Sequence, residues 1–279
     1  MKKGIDISVW QKGISFDALK GKVDFIILRA GFTGTSDGVS KKKDSEFENF
    51  YKQAKERGIP VGAYWYSCAN TKAKGISEAN FMYENCLKGK TFEYPIYIDV
   101  ENNEYQRVGK DKVADAITGF LETLEEKGYY VGVYANLNYF NNYIQTSKLS
   151  KYDKWVAYWG TDKPKFNYGE YNMWQNSNSG YIGGYRLDTD VAYLDFPNIM
   201  KQKGLNGFNK EEMPEIIPEE KINEQIKKLV EENLSLKEEI EKLKEQLNNI
   251  SIDNYKEFVS YKDDNYYIYL KKGEKVYYQ

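Results

Sequence analysis

The chain has 279 residues, room for one large domain plus something small, or for two domains. Its net charge of −2, with no long basic stripe, argues against a nucleic-acid partner. It contains no His, which removes Ser-His-Asp and Cys-His triads along with His-containing metal sites. Cys68 and Cys86 are the only cysteines. They are too few for a disulfide scaffold or an all-cysteine zinc site and read as small buried hydrophobes. No metal or cofactor is expected. The start, Met1-Lys2-Lys3, leads into Gly4-Ile5-Asp6 without an apolar h-region, so no signal peptide is read and synthesis in the cytoplasm is expected. No run approaches the length of a membrane span.

Residues 4–8 alternate as a short strand. Residues 24–32, built on Phe25-Ile26-Ile27-Leu28, form a second strand, solidly apolar as parallel strands buried on both faces are. Residues 45–57 carry Phe47, Phe50, Tyr51 and Ala54 at helical spacing, and Gly58 stops that helix. Strand 61–67 precedes a helix over 77–87, and strand 94–101 precedes an amphipathic helix over 110–127 that ends at Gly128. Strand 130–136 follows. Three more strands, 154–159, 171–175 and 186–193, leave little room for helices between the last of them. Eight strands, the early ones alternating with helices, predict an α/β fold: a βα barrel lacking some late helices.

The fourth strand ends in Ile98-Asp99-Val100-Glu101. Residues two apart on a strand share a side, so Asp99 and Glu101 project together. Two carboxylates in one apolar wall cannot both ionise freely, and one pKa is expected to rise. The pair then divides into a proton donor and an anion, the division that glycoside hydrolysis uses. Asp-x-Glu alone is short and common, and a solvated turn would explain it. The other strand ends change the balance. Asp6, Arg29, Tyr64 or Tyr66, Tyr134 with Asn136, Trp159, Trp174 with Gln175, and Asp188 all fall at or near the C-terminal ends of strands, where such barrels carry their chemistry. An ordinary ion pair would explain Arg29 and core packing would explain the tryptophans. Neither explains a ring of carboxylates and aromatics at one face.

These residues sit in an ordered set of motifs. They are Gly4-Ile5-Asp6-Ile7-Ser8-Val9-Trp10-Gln11, Phe25-Ile26-Ile27-Leu28-Arg29-Ala30-Gly31, Gly62-Ala63-Tyr64-Trp65-Tyr66, Ile98-Asp99-Val100-Glu101, Gly132-Val133-Tyr134-Ala135-Asn136, Met173-Trp174-Gln175 and Leu187-Asp188-Thr189-Asp190-Val191. Over about residues 3–200 the chain resembles glycoside hydrolase family 25, the N-acetylmuramidases (lysozymes) found among phage endolysins of Gram-positive hosts. The resemblance implies an irregular TIM-like barrel with eight strands and fewer helices. It also implies cleavage of the β-1,4 bond between N-acetylmuramic acid and N-acetylglucosamine in bacterial peptidoglycan. On the family's pattern Glu101 is the general acid, Asp99 steadies the substrate's acetamido group or nearby developing charge, and Asp6 and Asp188 are the third and fourth carboxylates. Trp10, Arg29, Tyr64, Tyr66, Tyr134, Asn136, Trp159, Trp174 and Gln175 are the expected substrate-binding residues. The family usually has Asp-x-Asn where this chain has Asp188-Thr189-Asp190; Asp188, at the family's first position, is expected to face the groove. The rival reading is a non-catalytic glycan-binding or tail-structural protein on the same barrel, against which the intact Asp6, Asp99 and Glu101 weigh.

Beyond a barrel domain of residues 1–205, residues 206–219 turn to Asn, Glu, Pro and Gly and read as a linker. Residues 220–250 carry an unbroken heptad, with Ile226, Asn233, Ile240 and Leu247 at a and Ile222, Leu229, Leu236, Leu243 and Ile250 at d. This predicts a coiled-coil helix and a parallel homodimer through residues 222–250. Residues 251–279 hold three short Tyr-rich runs and read as a small β meander with a cell-wall-binding role.

Overall fold

The computed structural model describes residues 1–209, 219–248, 268–271 and 274–277. The chain separates into two compact units, Met1–Glu212 and Met213–Gln279. In chain order the first runs β1 (Lys2–Ile7), α1 (Phe16–Leu19), β2 (Phe25–Thr33), β3 (Lys41–Lys43), α2 (Phe47–Glu56), β4 (Val61–Tyr66), α3 (Lys72–Met82), β5 (Ile96–Asp99), α4 (Tyr105–Val108), α5 (Lys110–Glu125), β6 (Val131–Asn136), α6 (Leu137–Asn142), β7 (Asp153–Ala157), β8 (Met173–Ile182), β9 (Tyr185–Ala192) and α7 (Phe196–Lys203). The order β1-β2-β4-β5-β6-β7-β8-β9 returns to β1 and closes an eight-stranded barrel, while β3 pairs with β2.

All eight expected strands are present, and no helix lies between β7 and β8 or between β8 and β9. One feature differs from an all-parallel βα barrel: β9 runs antiparallel to both its neighbours. The cause is local. Gly183 and Gly184, at φ +62° and +93°, join β8 to β9 as a two-residue hairpin turn. Such a turn needs positive φ at both central positions, and a parallel return would need a crossover of a dozen or more residues.

Side chains alternate between two cores. Phe25, Ile27, Tyr97, Tyr134, Trp155 and Met173 fill the barrel itself, and the opposite faces of the same strands pack on the helices. Inward glycines make room for the rings. A Cβ on Gly132 would lie 2.5 Å from the Tyr97 ring, and one on Gly4 would collide with Phe25. The helix α7 was not expected from the sequence, although its signals are there: Asp195 caps it through Asn198 N, Pro197 sits in its first turn and Gly204 ends it in the left-handed conformation. Its Phe196 and Met200 pack with Tyr94 and Phe25 in the inner core.

In the second unit, α8 (Glu219–Asn248) is one continuous helix. Ile226, Leu229, Leu236, Ile240, Leu243 and Leu247 are each at least half exposed along it. Two strands, β10 (Ile268–Lys271) and β11 (Glu274–Tyr277), pair antiparallel. The third run of the expected meander, around residue 258, lies outside the described residues. Among the described residues no helix is long and apolar enough to cross a membrane.

Candidate active site

The barrel's mouth is assembled by register. Asp6 lies near the end of β1 and pairs across to Asp188 on β9, while Asp190 pairs with Gly4 one pleat further down. Paired residues and their i±2 neighbours share a face, so all three carboxyl groups project inside the barrel. Because β9 runs antiparallel, its earlier residue is the one nearer the mouth. Asp188 is accordingly half-buried, and Asp190 is only 1% exposed. Asp99 ends β5, in register with Tyr66 on β4 and Tyr134 on β6. Glu101 follows two residues later at the open rim, where its side chain reaches solvent.

Crowding of acids in a dry wall dominates the electrostatics. Burial, then the charges of Glu101 and Asp6, push Asp99 well above the usual carboxylate range, and Arg29 only partly offsets them. One Asp99 oxygen, Oδ1, is buried without a hydrogen-bond partner. Burial and then Asp188 raise Asp6 to about 8. Glu101 is raised first by desolvation in its crowded surroundings and then by Asp188. Asp188 itself is raised by burial. The cluster as a whole therefore holds its protons more tightly than free carboxyls do, with Glu101 the accessible acid at its rim.

Gln175 on β8 ties the wall together. Its Nε2 donates to Asp6 Oδ2 (2.7 Å), and its Oε1 accepts from the Tyr134 hydroxyl (3.0 Å) and the Trp159 indole (3.1 Å). Two donors on the oxygen leave the amide nitrogen to face Asp6. Arg29 sits at a register slip between Arg29 and Gly31. The Ala30 carbonyl there accepts Asp44 N–H (2.9 Å). Asp44 in turn accepts from Arg29 Nε (2.7 Å) and from Val9 N–H (3.0 Å), which braces the turn carrying Trp10. A bulge that re-aims a side chain beside a site is a recurrent device.

Of the other expected substrate-binding residues, Trp10 and Trp159 are exposed, at 81% and 58%, and free to stack on a ligand. Tyr64 and Tyr66 face the barrel interior and are partly accessible. Tyr134 is buried and spends its hydroxyl on Gln175. Asn136 caps α6, its Oδ1 accepting Tyr139 N–H (3.0 Å), and lines a pocket of about 490 Å³ with Ala157, Tyr158 and Trp159. Trp174 is not brought to the groove. It points outward from β8 into the helix-side core, and its indole donates to the Tyr158 carbonyl (2.7 Å). On a strand whose neighbours Met173 and Gln175 face inward, the residue between them has to face out.

Sequence reasoning passed over Asp44 and a buried network behind the Asp99–Glu101 strand. In that network Ser67 Oγ donates to Glu78 Oε2 (2.6 Å) and meets the Tyr105 hydroxyl (2.8 Å), while Cys68 N–H donates to Glu78 Oε1 (3.0 Å). Ser67 N–H bonds the Asp99 carbonyl (3.0 Å), so the network fixes the end of β5. Asp44 lies three residues ahead of α2, where its Oδ1 accepts Glu46 N–H (2.9 Å) in a local Asx-type turn; Glu78, on a helix, carried no comparable signal.

A closed barrel with this gathering of acids at one mouth is the architecture of a glycoside hydrolase. The model of glycosyl hydrolases family 25 matches residues 5–185, and the chain belongs to that family. The chain is 30% identical over 190 residues to an autolytic lysozyme of Clostridium acetobutylicum, a match covering 68% of this chain and 54% of that protein. It thus spans about half the length of this curated relative. Among solved structures, the CTP1L endolysin superposes with a TM-score of 0.61 at 27% identity, over 73% of this chain and 70% of that one. That endolysin's activity is regulated by a secondary translation product. The modular autolysin LytC of Streptococcus pneumoniae, solved with a synthetic peptidoglycan ligand, gives 0.60 at 28% identity, over 69% and 46%.

Proposed function

We propose that this chain is a peptidoglycan hydrolase cleaving the β-1,4 bond between N-acetylmuramic acid and N-acetylglucosamine, and that it serves as a phage endolysin against a Gram-positive host. One observation carries the reading: Asp6, Asp99, Glu101 and Asp188 converge from three different strands on the open mouth of the barrel. Glu101 is the accessible acid and protonates the leaving oxygen. Asp99, beside it and dry, steadies the acetamido group or the charge that develops there. Asp6, held by Gln175, and Asp188 complete the acidic wall. Arg29, Tyr64, Tyr66, Trp10 and Trp159 provide the sugar-binding surface, with flat rings suited to stacking on pyranose faces. Family membership and the likeness to a lysozyme and two wall-lytic enzymes support this activity. The test is the reducing-end sugar released from purified walls. Muramic acid at the new reducing ends supports the assignment, and glucosamine there, or no cleavage, refutes it.

The second unit is proposed to dimerise and to target the wall. The exposed heptad stripe on α8 supports pairing with a second copy, and the flanking charges favour a parallel arrangement. Glu232 and Glu239 at g then meet Lys237 and Lys244 at e of the second copy, whereas antiparallel pairing sets like charges together. Each exposed pair contributes only ~0.2–1 kcal/mol, but all act in the same direction. Two barrels on one stalk would act at raised local concentration on the wall. Light scattering on the full chain at micromolar concentration should give a dimer, and Asn233→Ile should raise stability while loosening the oligomeric state. A monomer would refute the pairing, and a trimer the role of Asn233.

An internal start at Met213 is proposed as well. Lys210-Glu211-Glu212 can be encoded by purine-rich codons resembling a ribosome-binding site just before it. The regulated likeness named above supports the idea, and the product would consist of the second compact unit alone. Expression of the gene should then yield a small C-terminal band that disappears in Met213→Ala. A band pattern unchanged by that substitution would dispose of the idea.

A further inference from the structure

Asp190 is a carboxyl group that the proposed mechanism leaves without work. It is 1% exposed and sits one pleat below the mouth, in register between Gly4 and Gln175. Its Oδ1 accepts the Trp155 indole N–H (2.8 Å). Its Oδ2 is buried and meets no donor. The carboxyl that faces it is that of Asp6, its diagonal neighbour on the same inward face of the β1–β9 pair. Asp6 has its own Oδ2 on the Gln175 amide. Two ionised carboxylates repel and cannot hydrogen-bond, so a dry contact of this kind holds a proton between them. Which residue keeps it follows from the surroundings. Asp6 lies nearer the groove and receives an amide N–H, which favours its anion. Asp190 lies deeper and has one oxygen with nothing to accept from.

We infer that Asp190 is a positioning residue: it stays a neutral carboxylic acid and donates its proton to an oxygen of Asp6, aiming the Asp6 carboxyl group at the groove. The groups that face the pair are Asp188 from β9, Asp99 at the end of β5 and Glu101 beyond it, Gln175 from β8, the Trp155 indole from β7, and the phenols of Tyr64 from β4, Tyr97 from β5 and Tyr134 from β6. Asp188, Asp99 and Glu101 are acids and favour keeping the shared proton; the amide, the indole and the phenols are neutral. The directions of titration agree. Burial, then Asp6, puts Asp190 well above the usual carboxylate range, and the contact with Asp190 lowers Asp6. Asp6 is the member of the pair whose anion the Gln175 amide supports, and Asp190, with one oxygen that meets no donor, is the one that keeps its proton. A neutral donor at this depth also keeps a negative charge out of a wall already crowded with the acids Asp6, Asp99 and Asp188.

This deepens the proposed hydrolase reading and rests on the Asp6 role given there. An Asn at 190 would supply the same donor without a proton to lose. Asp190→Asn should therefore keep activity within a few-fold of the parent at the pH optimum and hold it to at least as high a pH. Asp190→Ala, with no donor, should lose activity on the order of 10–100-fold. Independently, ¹³C NMR of labelled aspartate carboxyls in the full chain, assigned by Asp6→Asn and Asp190→Asn, should find Asp190 protonated from acid to neutral pH. An Asp190 carboxyl that titrates like a surface aspartate would overturn the inference, as would an Asp190→Asn protein as inactive as Asp190→Ala at every pH. If Asp190→Ala does not fold, Asp190→Asn and the titration still decide it. Should the parent fail to cut walls, the functional reading falls while the NMR result stands separately.

Discussion

Glu101→Gln should abolish wall lysis while leaving the circular dichroism spectrum and wall binding unchanged. The amide is isosteric but carries no transferable proton, and general acid catalysis alone contributes on the order of 10²–10⁴-fold. Glu101 is suited to the task because it is raised above an ordinary glutamate and is accessible at the rim. The alkaline limb of the pH–rate profile should then lie above that of an unperturbed glutamate, because activity is lost only as this proton leaves. Asp188→Asn serves as the companion. Removing that negative charge lowers the Glu101 pKa, so the limb should move to lower pH without a comparable collapse at the optimum. Turbidity clearing by a folded Glu101→Gln protein at near the parent rate would remove Glu101 from the donor role.

Asp99→Asn should be nearly as damaging to turnover, on the order of 10²–10³-fold, and yet make the protein more stable. The sign follows from linkage. In the unfolded chain Asp99 ionises near pH 4, while burial and the acids beside it hold the folded group protonated well above that. Below pH 4 both states carry the proton and the site costs nothing. As pH rises past 4 the unfolded state ionises and gains, so folded stability falls until the folded pKa is passed. A neutral Asn escapes this, and its new N–H₂ finds acceptors in the adjacent carboxyls. The expected gain at neutral pH is about 1–2 kcal/mol, or roughly 2–8 °C in Tm, shrinking towards zero near pH 4. Calorimetry of both proteins at several pH values checks it. A lowered Tm at neutral pH, or a gain that persists unchanged at pH 4, would show that Asp99 is not held protonated in the folded state.

The eight strands and the position of the acids were legible because they depend on short-range patterns. Apolar runs such as Phe25-Ile26-Ile27-Leu28 specify buried strands, and a period of two puts Asp99 and Glu101 on one side whatever the rest of the chain does. Heptad spacing likewise marks residues 222–250 as helical with one apolar stripe, and α8 covers Glu219–Asn248. What the tertiary structure decided is direction and partnership. Asp188 and Asp190 are indistinguishable by pattern, since both share a face. The Gly183-Gly184 hairpin reverses β9, and that reversal puts Asp188 at the mouth and Asp190 beneath it. The same alternation that collected the acids turned Trp174 away from them, which motif position alone does not reveal. Asp44 and Glu78 are polar residues whose meaning is set by what lies across from them, Arg29 and Ser67, at 15 and 11 residues' separation. Periodicity reports which side a residue faces. Only closure of the barrel reports what it meets there.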